Sequence, residues 1–488
     1  MNEEEKVLKE IKKKITKEDK NNIIYTSFLE TDDYILEQVS NATDATCATD
    51  ATDIQFCIFN KKTASIVFQD NFLLRGREYC PIVDEILLNH VIKLPSKPEE
   101  YGDTGTLIKD IKSYLQKNIE LPPFYDNFLP YIVLFYWAYD KFPFIPYIHF
   151  IGLTGTGKTT AQEVLGNICY KPIDASGAIT MSPIFRTASQ WRGTLLLDEF
   201  EPDSESYKEM LAFLKSGVGN KAVLRTEGDK KREVRAYLIK SPKIFTSEKP
   251  TTSSGLRSRM FVVQMEKNKR RVPLYRLGKF QETALHLRNK LLMWRIRNLS
   301  KIDLMEIEYG FPELSAFDGR VQQVITPLYY FSDENTRKEI VEFGKYQEKE
   351  TKKERQESLE GQIFQLMIDC LIDPSLKEIT EKINKDKGGK PIGERRIASI
   401  IRTILQFDIE RMGHDNIRTI LISEKQNRII ELKDYFGISV ASVAQVASVA
   451  NSETEQQEAS KNATDSKNED SGKIASVADD SDLFEIVS

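Results

Sequence analysis

The chain has 488 residues, 40% hydrophobic and 29% charged, which is enough for about three domains and too much for one. Five cysteines (Cys47, Cys57, Cys80, Cys169, Cys370) form no C-x2-C pair and have no His at ligand spacing, so a zinc site and a disulfide framework are not expected and a reducing cytoplasm fits. The first residues lack the basic-then-apolar order of a signal peptide. The most apolar stretch, Phe128 to Ile151, is broken by Asp140, Lys141, Pro143 and Pro146 and falls short of the ~20 apolar residues of a membrane span.

Residues 1–20 read as a charged helical arm. Strand-like runs follow at Ile23–Leu29, Ile54–Phe59 and Ser65–Phe68, the last two flanking a turn at Asn60 to Thr63, so 1–103 is expected to be a small α+β domain. Between its strands, 41–53 is an Ala/Thr/Asp repeat with too little apolar surface to pack, and is expected to be a flexible loop. Residues 104–139 look helical and open a nucleotide-binding core at 104–266.

In that core, Gly152 to Thr159 fits G-x4-G-K-[ST]. Gly152, Gly155 and Gly157 let the backbone curl around a phosphate with N–H groups inward. Thr154, Thr156 and Thr160 belong to the same cradle, Lys158 reaches the β/γ-phosphates, and the Thr159 hydroxyl sits on Mg²⁺. The apolar run Tyr147 to Ile151 before it and the helical spacing of Ala161, Val164, Leu165 and Ile168 after it supply strand, loop and helix in the required order. ATP and Mg²⁺ are the expected cofactors.

Thr194 to Glu201 is a Walker B pattern, an apolar strand ending in two carboxylates. Asp198 there can hold the Mg²⁺ shell and Glu199 can orient the attacking water. Leu211 to Tyr237 scans as a helix, a glycine turn and a hairpin whose tip carries Lys230, Lys231 and Arg232, a basic tip suited to a nucleic-acid backbone. A third apolar run from Lys243 should lie between the first two strands and bring Thr246 and Ser247 beside the terminal phosphate. Then Arg257 and Arg259 precede another strand, and Arg259 is the candidate finger into a neighbouring subunit's site.

This order of phosphate loop, Asp-Glu strand, hairpin, Thr246-Ser247 strand and Leu256-Arg-Ser-Arg259 resembles AAA+ ATPases of mobile elements, of the superfamily 3 helicase type and the helicase modules associated with phage and plasmid primases. The resemblance covers about residues 125–350, including Phe317 to Gln323. It implies a ring, a hexamer in such families, acting on DNA. It also implies Lys158, Thr159, Asp198 and Glu199 as the ATP site, the Thr246-Ser247 tip as sensor and Arg259 as finger. Glu248 departs from the pattern, which usually has Asn after the Thr-Ser pair. The N-terminal region shows no primase pattern, so priming would need a separate protein.

Residues 267–357 read as a helical bundle. Residues 266–301 contain eleven Lys/Arg against two Glu, a basic stretch expected to contribute to DNA contact. Helices at 359–372, 375–384 and 393–406 precede alternating residues from Phe407 to Ile422, the order of a winged helix-turn-helix over 358–438. Its third helix should bury Ile397, Ile400, Ile401, Ile404 and Leu405 and turn Arg395, Arg396, Ser399 and Arg402 outward, with a wing tip at Arg411 to His414. The tail, 439–488, is acidic and repetitive and is expected to be disordered, its apolar end suited to a replication partner.

The expected fold class is therefore α/β: an AAA+-like P-loop core with a parallel sheet, preceded by a small α+β domain and followed by a helical bundle and a winged helix. The expected function is an ATP-dependent DNA helicase or translocase. The alternative is a DNA-binding ATPase switch, such as a loader or a transposition or partition regulator, that hydrolyses ATP without unwinding.

Overall fold

The computed structural model describes residues 22–40, 53–175, 181–198, 207–227, 233–251, 253–273, 278–370, 372–385 and 391–438. The arm at 1–20, nearly all of the repeat at 41–53, Glu199, the hairpin tip with Lys230, Lys231 and Arg232, and the tail lie outside the described residues. The chain divides into two compact units, Met1–Glu348 and Lys349–Ser488.

The first unit opens with β1 (Ile23–Tyr25), β2 (Phe28–Glu30), β3 (Tyr34–Ser40), β4 (Ile54–Asn60), β5 (Ile66–Gln69), β6 (Phe72–Leu74) and β7 (Arg77–Cys80). They form an antiparallel sheet β2-β3-β4-β5 and a smaller sheet β1-β7-β6. The turn between β4 and β5 forms as expected, because the Asn60 side-chain carbonyl accepts from the backbone N–H groups of Lys62 and Thr63 at 2.9 and 3.1 Å. Helices α1 (Glu85–Leu88), α2 (Thr104–Asn118) and α3 (Pro123–Tyr136) follow. The Asp103 carboxylate caps α2 by accepting from Thr106 N–H at 2.7 Å.

The central layer is built from β8 (Tyr147–Ile151), α4 (Lys158–Gly166), β9 (Ile173–Ala175), α5 (Met181–Trp191), β10 (Leu195–Leu197), α6 (Tyr207–Ser216), the hairpin β11 (Ala222–Glu227) and β12 (Glu233–Leu238), β13 (Lys243–Ser247), α7 (Ser254–Arg257) and β14 (Met260–Gln264). Five of these strands make a parallel sheet in the order β14-β8-β13-β10-β9. Both faces are covered, so the strands read as unbroken apolar runs. Ile148, Phe150, Leu196, Ile244 and Phe261 join one core with α3 and α4, and Tyr147, Leu195, Leu197 and Phe245 join a second core with α5 and α6. As the sequence led us to expect, β13 lies between β8 and β10.

Helices α8 (Gly278–Asn298), α9 (Leu304–Tyr309), α10 (Gly319–Phe331) and α11 (Glu334–Glu357) come next. Arg295 of α8 is fully buried and binds Glu37 of β3 at 2.5 Å and Asp140 at 2.8 Å, while Lys171 meets the other oxygen of Glu37 at 3.0 Å. Two cations and two carboxylates thus balance inside the core and tie the first sheet to the central layer and to α8. Burial lowers the Lys171 ammonium to about 8, against the pull of Glu37.

The basic stretch 266–301 is not one uniform surface. Arg288 and Arg295 are buried, with Arg288 donating to the carbonyls of Leu94 and Asn167, and Arg297 pairs with Glu100 at 2.6 Å. Charge counting missed this because a guanidinium five donors wide can satisfy buried carbonyls and carboxylates as readily as phosphates.

The second unit contains α12 (Leu359–Ile368), α13 (Leu376–Lys385), α14 (Glu394–Ile400), β15 (Asp408–Met412), β16 (Ile417–Leu421) and α15 (Gln426–Phe436). Its core gathers Ile363, Phe364, Ile379, Ile397, Ile401, Leu405 and Ile420. Strands β15 and β16 pair antiparallel, and Ser375 adds a bridge to Thr419. One expectation fails: Ile404 is 48% exposed. Residues Ile401–Leu405 form a π-helical turn after α14, and the extra residue per turn swings Leu405 into the core in place of Ile404.

Candidate nucleotide site

The carboxyl ends of β8, β13 and β10 place the candidate residues, at the end of a parallel sheet where ligands of open α/β folds bind. Strand register does most of the positioning. Leu197 lies opposite Phe245, which sets Asp198 beside Thr246, and Ser247 lies opposite Ile151, which sets Glu248 beside the loop that leaves β8.

The loop from Gly152 to Gly157 has the shape its glycines predict. A Cβ on Gly152 would stand 2.6 Å from the Met265 carbonyl and 2.8 Å from the Thr156 hydroxyl, so only glycine allows this approach. Gly157 takes φ +85° at the mouth of α4, a conformation that other residues adopt at a cost. Lys158 begins α4, and its ammonium donates to the carbonyls of Gly152 and Leu153 at 2.7 and 3.0 Å. The Thr156 hydroxyl donates to the Leu153 carbonyl at 2.8 Å, closing the curl. Thr159 follows on the exposed face of the helix start and Thr160 is half-buried.

The Thr159 hydroxyl lies 3.3 and 3.5 Å from the two oxygens of Asp198. Thr246, 1% exposed, donates its hydroxyl to Asp198 from the other side. A hydroxyl and a carboxylate at this separation, beside a glycine cradle and a lysine, are the donor set that Mg²⁺ takes when a phosphate supplies its other ligands. Among the described residues no cluster of three or more His, Cys, Asp or Glu offers an alternative metal site.

Two residues support this arrangement that motif reading did not single out, Gln162 and His149, and a third, Glu248, gains a contact that the motif did not give it. Gln162, on the inner face of α4, donates to the carbonyls of Leu197 and Ile244, both at 2.9 Å, and so holds the helix against the two strands that carry Asp198 and Thr246. Its signature was a polar residue among Ala161, Val164 and Leu165. His149, in the middle of β8, shares a 2.7 Å hydrogen bond with Ser247 and stacks on Phe245 with ring centroids 4.4 Å apart. Burial, with Arg257 nearby, lowers its imidazole to about 3, so it is neutral. Glu248 accepts from the Thr154 hydroxyl at the tip of the loop, so the residue that departs from the family pattern touches the phosphate loop itself.

Arg259 and Arg257 diverge in surroundings. Arg257 donates to the Thr251 carbonyl at 2.6 Å. Arg259 donates to the Gly255 carbonyl, and burial together with the nearby Arg320 guanidinium lowers its pKa.

In the second unit Arg395, Arg396, Ser399 and Arg402 are exposed on α14 and its continuation, as the apolar spacing predicts. Arg402 also donates to the Ile409 carbonyl at 3.2 Å, which ties the helix to β15. The turn of the hairpin runs through Gly413, φ +75°, and Asn416, φ +51°.

Among the described residues no helix is long and apolar enough to cross a membrane. No family model matches the sequence, and neither does any curated protein. Solved structures do overlap with it. The structure described as "SCCmec type IV Cch - active helicase" is 12% identical, with 85% of this chain and 81% of that one covered at a TM-score of 0.40. The apo NrS-1 C-terminal region (305–718) is 13% identical, with 79% and 96% covered at a TM-score of 0.35. At these scores the overlaps do not define a common fold, and the functional reading rests on the site's own residues.

Proposed function

We propose that the chain is an ATP-hydrolysing P-loop motor that acts on DNA as a ring of identical subunits, a helicase or translocase of the kind used to replicate mobile elements. The observation that carries the ATPase part is Asp198, held between Thr159 at the phosphate-loop helix and Thr246 on the neighbouring strand. In this reading Gly152, Thr154, Gly155, Thr156, Gly157 and Thr160 present the cradle. Lys158 releases the loop carbonyls and takes up the β/γ-phosphates. Thr159 and Asp198 would hold Mg²⁺, which would supply positive charge against the negative charge of the phosphates.

Glu199, next in the chain, orients the attacking water, while Thr246 and Ser247 report the terminal phosphate to the sheet. Arg259 lies on a different element from these groups and serves the site of the adjacent subunit, where a finger is worth ~10³–10⁵ in turnover. The hairpin tip with Lys230, Lys231 and Arg232 and the exposed Arg395, Arg396 and Arg402 of a winged helix contact the DNA backbone and groove. A primase or other replication protein is the partner proposed for the tail.

The test is ATP turnover with and without DNA, alongside displacement of one strand from a forked duplex. Turnover with displacement supports the motor, and turnover without it indicates a DNA-binding switch. A protein that neither binds nor hydrolyses ATP would overturn the reading.

A further inference from the structure

A second cavity of about 540 Å³ opens between α2 and α8, lined by residues separate from the phosphate loop. Its volume falls within the ~300–1,000 Å³ of small-ligand sites. Its lining is divided by chemistry. Tyr114 and Phe280 are buried and stacked with ring centroids 5.5 Å apart, and with Pro273 they form an apolar wall. Lys117, Lys279 and Lys290 supply positive charge.

Lys290 is paired with Asp110 at 2.7 Å. Lys117 and Lys279 are exposed, and among the described residues neither meets a carboxylate. Two ammonium groups without a carboxylate partner at the rim of an apolar wall leave positive charge available to a ligand. An anion attached to a flat apolar group matches both features. The basic segment before the cavity strengthens the field, because Arg270 donates to the carbonyls of Gln116 and Ile119 and is thereby fixed next to Lys117.

We propose that this cavity binds a nucleoside monophosphate unit, its phosphate at Lys117 and Lys279 and its base against the apolar wall. The same chemistry is presented by one nucleotide of a single strand and by a free nucleotide. The strand is the occupant that the motor reading implies; the site itself does not depend on hydrolysis at the phosphate loop. Tyr114 also connects the two places, since its hydroxyl donates at 3.3 Å to the Val164 carbonyl of α4, the helix that starts at Lys158.

The experiment compares full-length wild type with Lys117→Ala/Lys279→Ala, without ATP, using fluorescein-labelled oligo(dT) across a salt series. A calorimetric titration with dTMP runs in parallel in a Lys158→Ala background, which disables the phosphate loop. Losing the two lysines that share one phosphate should flatten the slope of log K against log salt by about 0.7, equivalent to roughly 5-fold in affinity at ~0.1 M salt. The melting temperature and basal ATP turnover should not change, because both lysines are exposed and outside the nucleotide site. Weakened oligo(dT) binding assigns the cavity to the strand; weakened dTMP binding alone assigns it to a free nucleotide. Unchanged binding of both overturns the proposal, whatever the ATPase assays show.

Discussion

Thr246 donates its hydroxyl to the carboxylate of Asp198 across the ends of two neighbouring strands. The register that opposes Phe245 to Leu197 makes this contact unavoidable, and Gln162 fixes both strands from the helix side. A hydrogen bond to a charged group contributes ~1.5–3 kcal/mol, so Thr246→Val, which keeps the branched shape and loses the hydroxyl, should lower ATP turnover about 10- to 100-fold. Nucleotide affinity should stay close to that of the wild type, because the cradle is untouched. A steady-state assay with a fluorescent-nucleotide titration separates the two, and an unchanged kcat would remove Thr246 from the site.

Lys158→Ala and Glu199→Gln should both abolish turnover for different reasons. The first removes the charge that meets the β/γ-phosphates and should weaken nucleotide binding. The second leaves the cradle intact and should retain nucleotide while failing to hydrolyse it. Normal turnover in either variant would contradict the assignment.

The sequence made the glycine loop between β8 and α4 and the strand before Asp198 legible because close backbone approach and full burial each demand particular residue types at fixed spacing. Gly152 tolerates no Cβ against Met265, and Leu195 to Leu197 must be apolar on both faces of the sheet. The order of β13 between β8 and β10 followed from the same logic. Contacts distant in sequence were not legible. Glu37 reaches Arg295 across 258 positions, and nothing local to either residue announces the other. Ile404 was misplaced because a single π-helical turn breaks the 3.6-residue period on which the reading of that helix relied.

In the proposed ring, where the Arg259 guanidinium serves the adjacent subunit, Arg259→Ala should eliminate turnover while leaving nucleotide binding nearly intact. Mixing this variant with Lys158→Ala should restore part of the activity, since some hybrid interfaces then pair an intact loop with an intact finger. No recovery in repeated mixing would place Arg259 in its own subunit's site, or transfer the role to Arg257.

The buried cluster offers a test of what joins the first sheet to α8. Arg295→Met removes the cation that Glu37 and Asp140 share, leaving Glu37 with Lys171 alone and Asp140 without the guanidinium. Breaking a buried pair in this way costs ~3–5 kcal/mol. The variant should unfold at markedly lower denaturant than the wild type, and equal midpoints would show that the cluster contributes little.

The last prediction concerns His149, which burial keeps neutral by lowering its pKa from 6.5 to about 3. Its Nδ1 has no hydrogen-bond partner among the described residues, so a proton placed there would be buried and unpaired. Between those two values the unfolded chain binds a proton at this side chain and the folded chain does not. Stability from this residue is therefore complete above pH 6.5 and falls as the pH drops toward 3, at ~1.4 kcal/mol per unit. Between pH 6.5 and about pH 5 the loss amounts to about 2 kcal/mol. His149→Gln retains a donor and an acceptor for Ser247 and cannot titrate, so its unfolding free energy should lack that component, while the contributions of Asp and Glu remain common to both proteins. Denaturant unfolding of the two proteins at both pH values measures the difference. Parallel losses would mean that His149 takes up its proton in the folded state, and with it a charged partner beside Ser247.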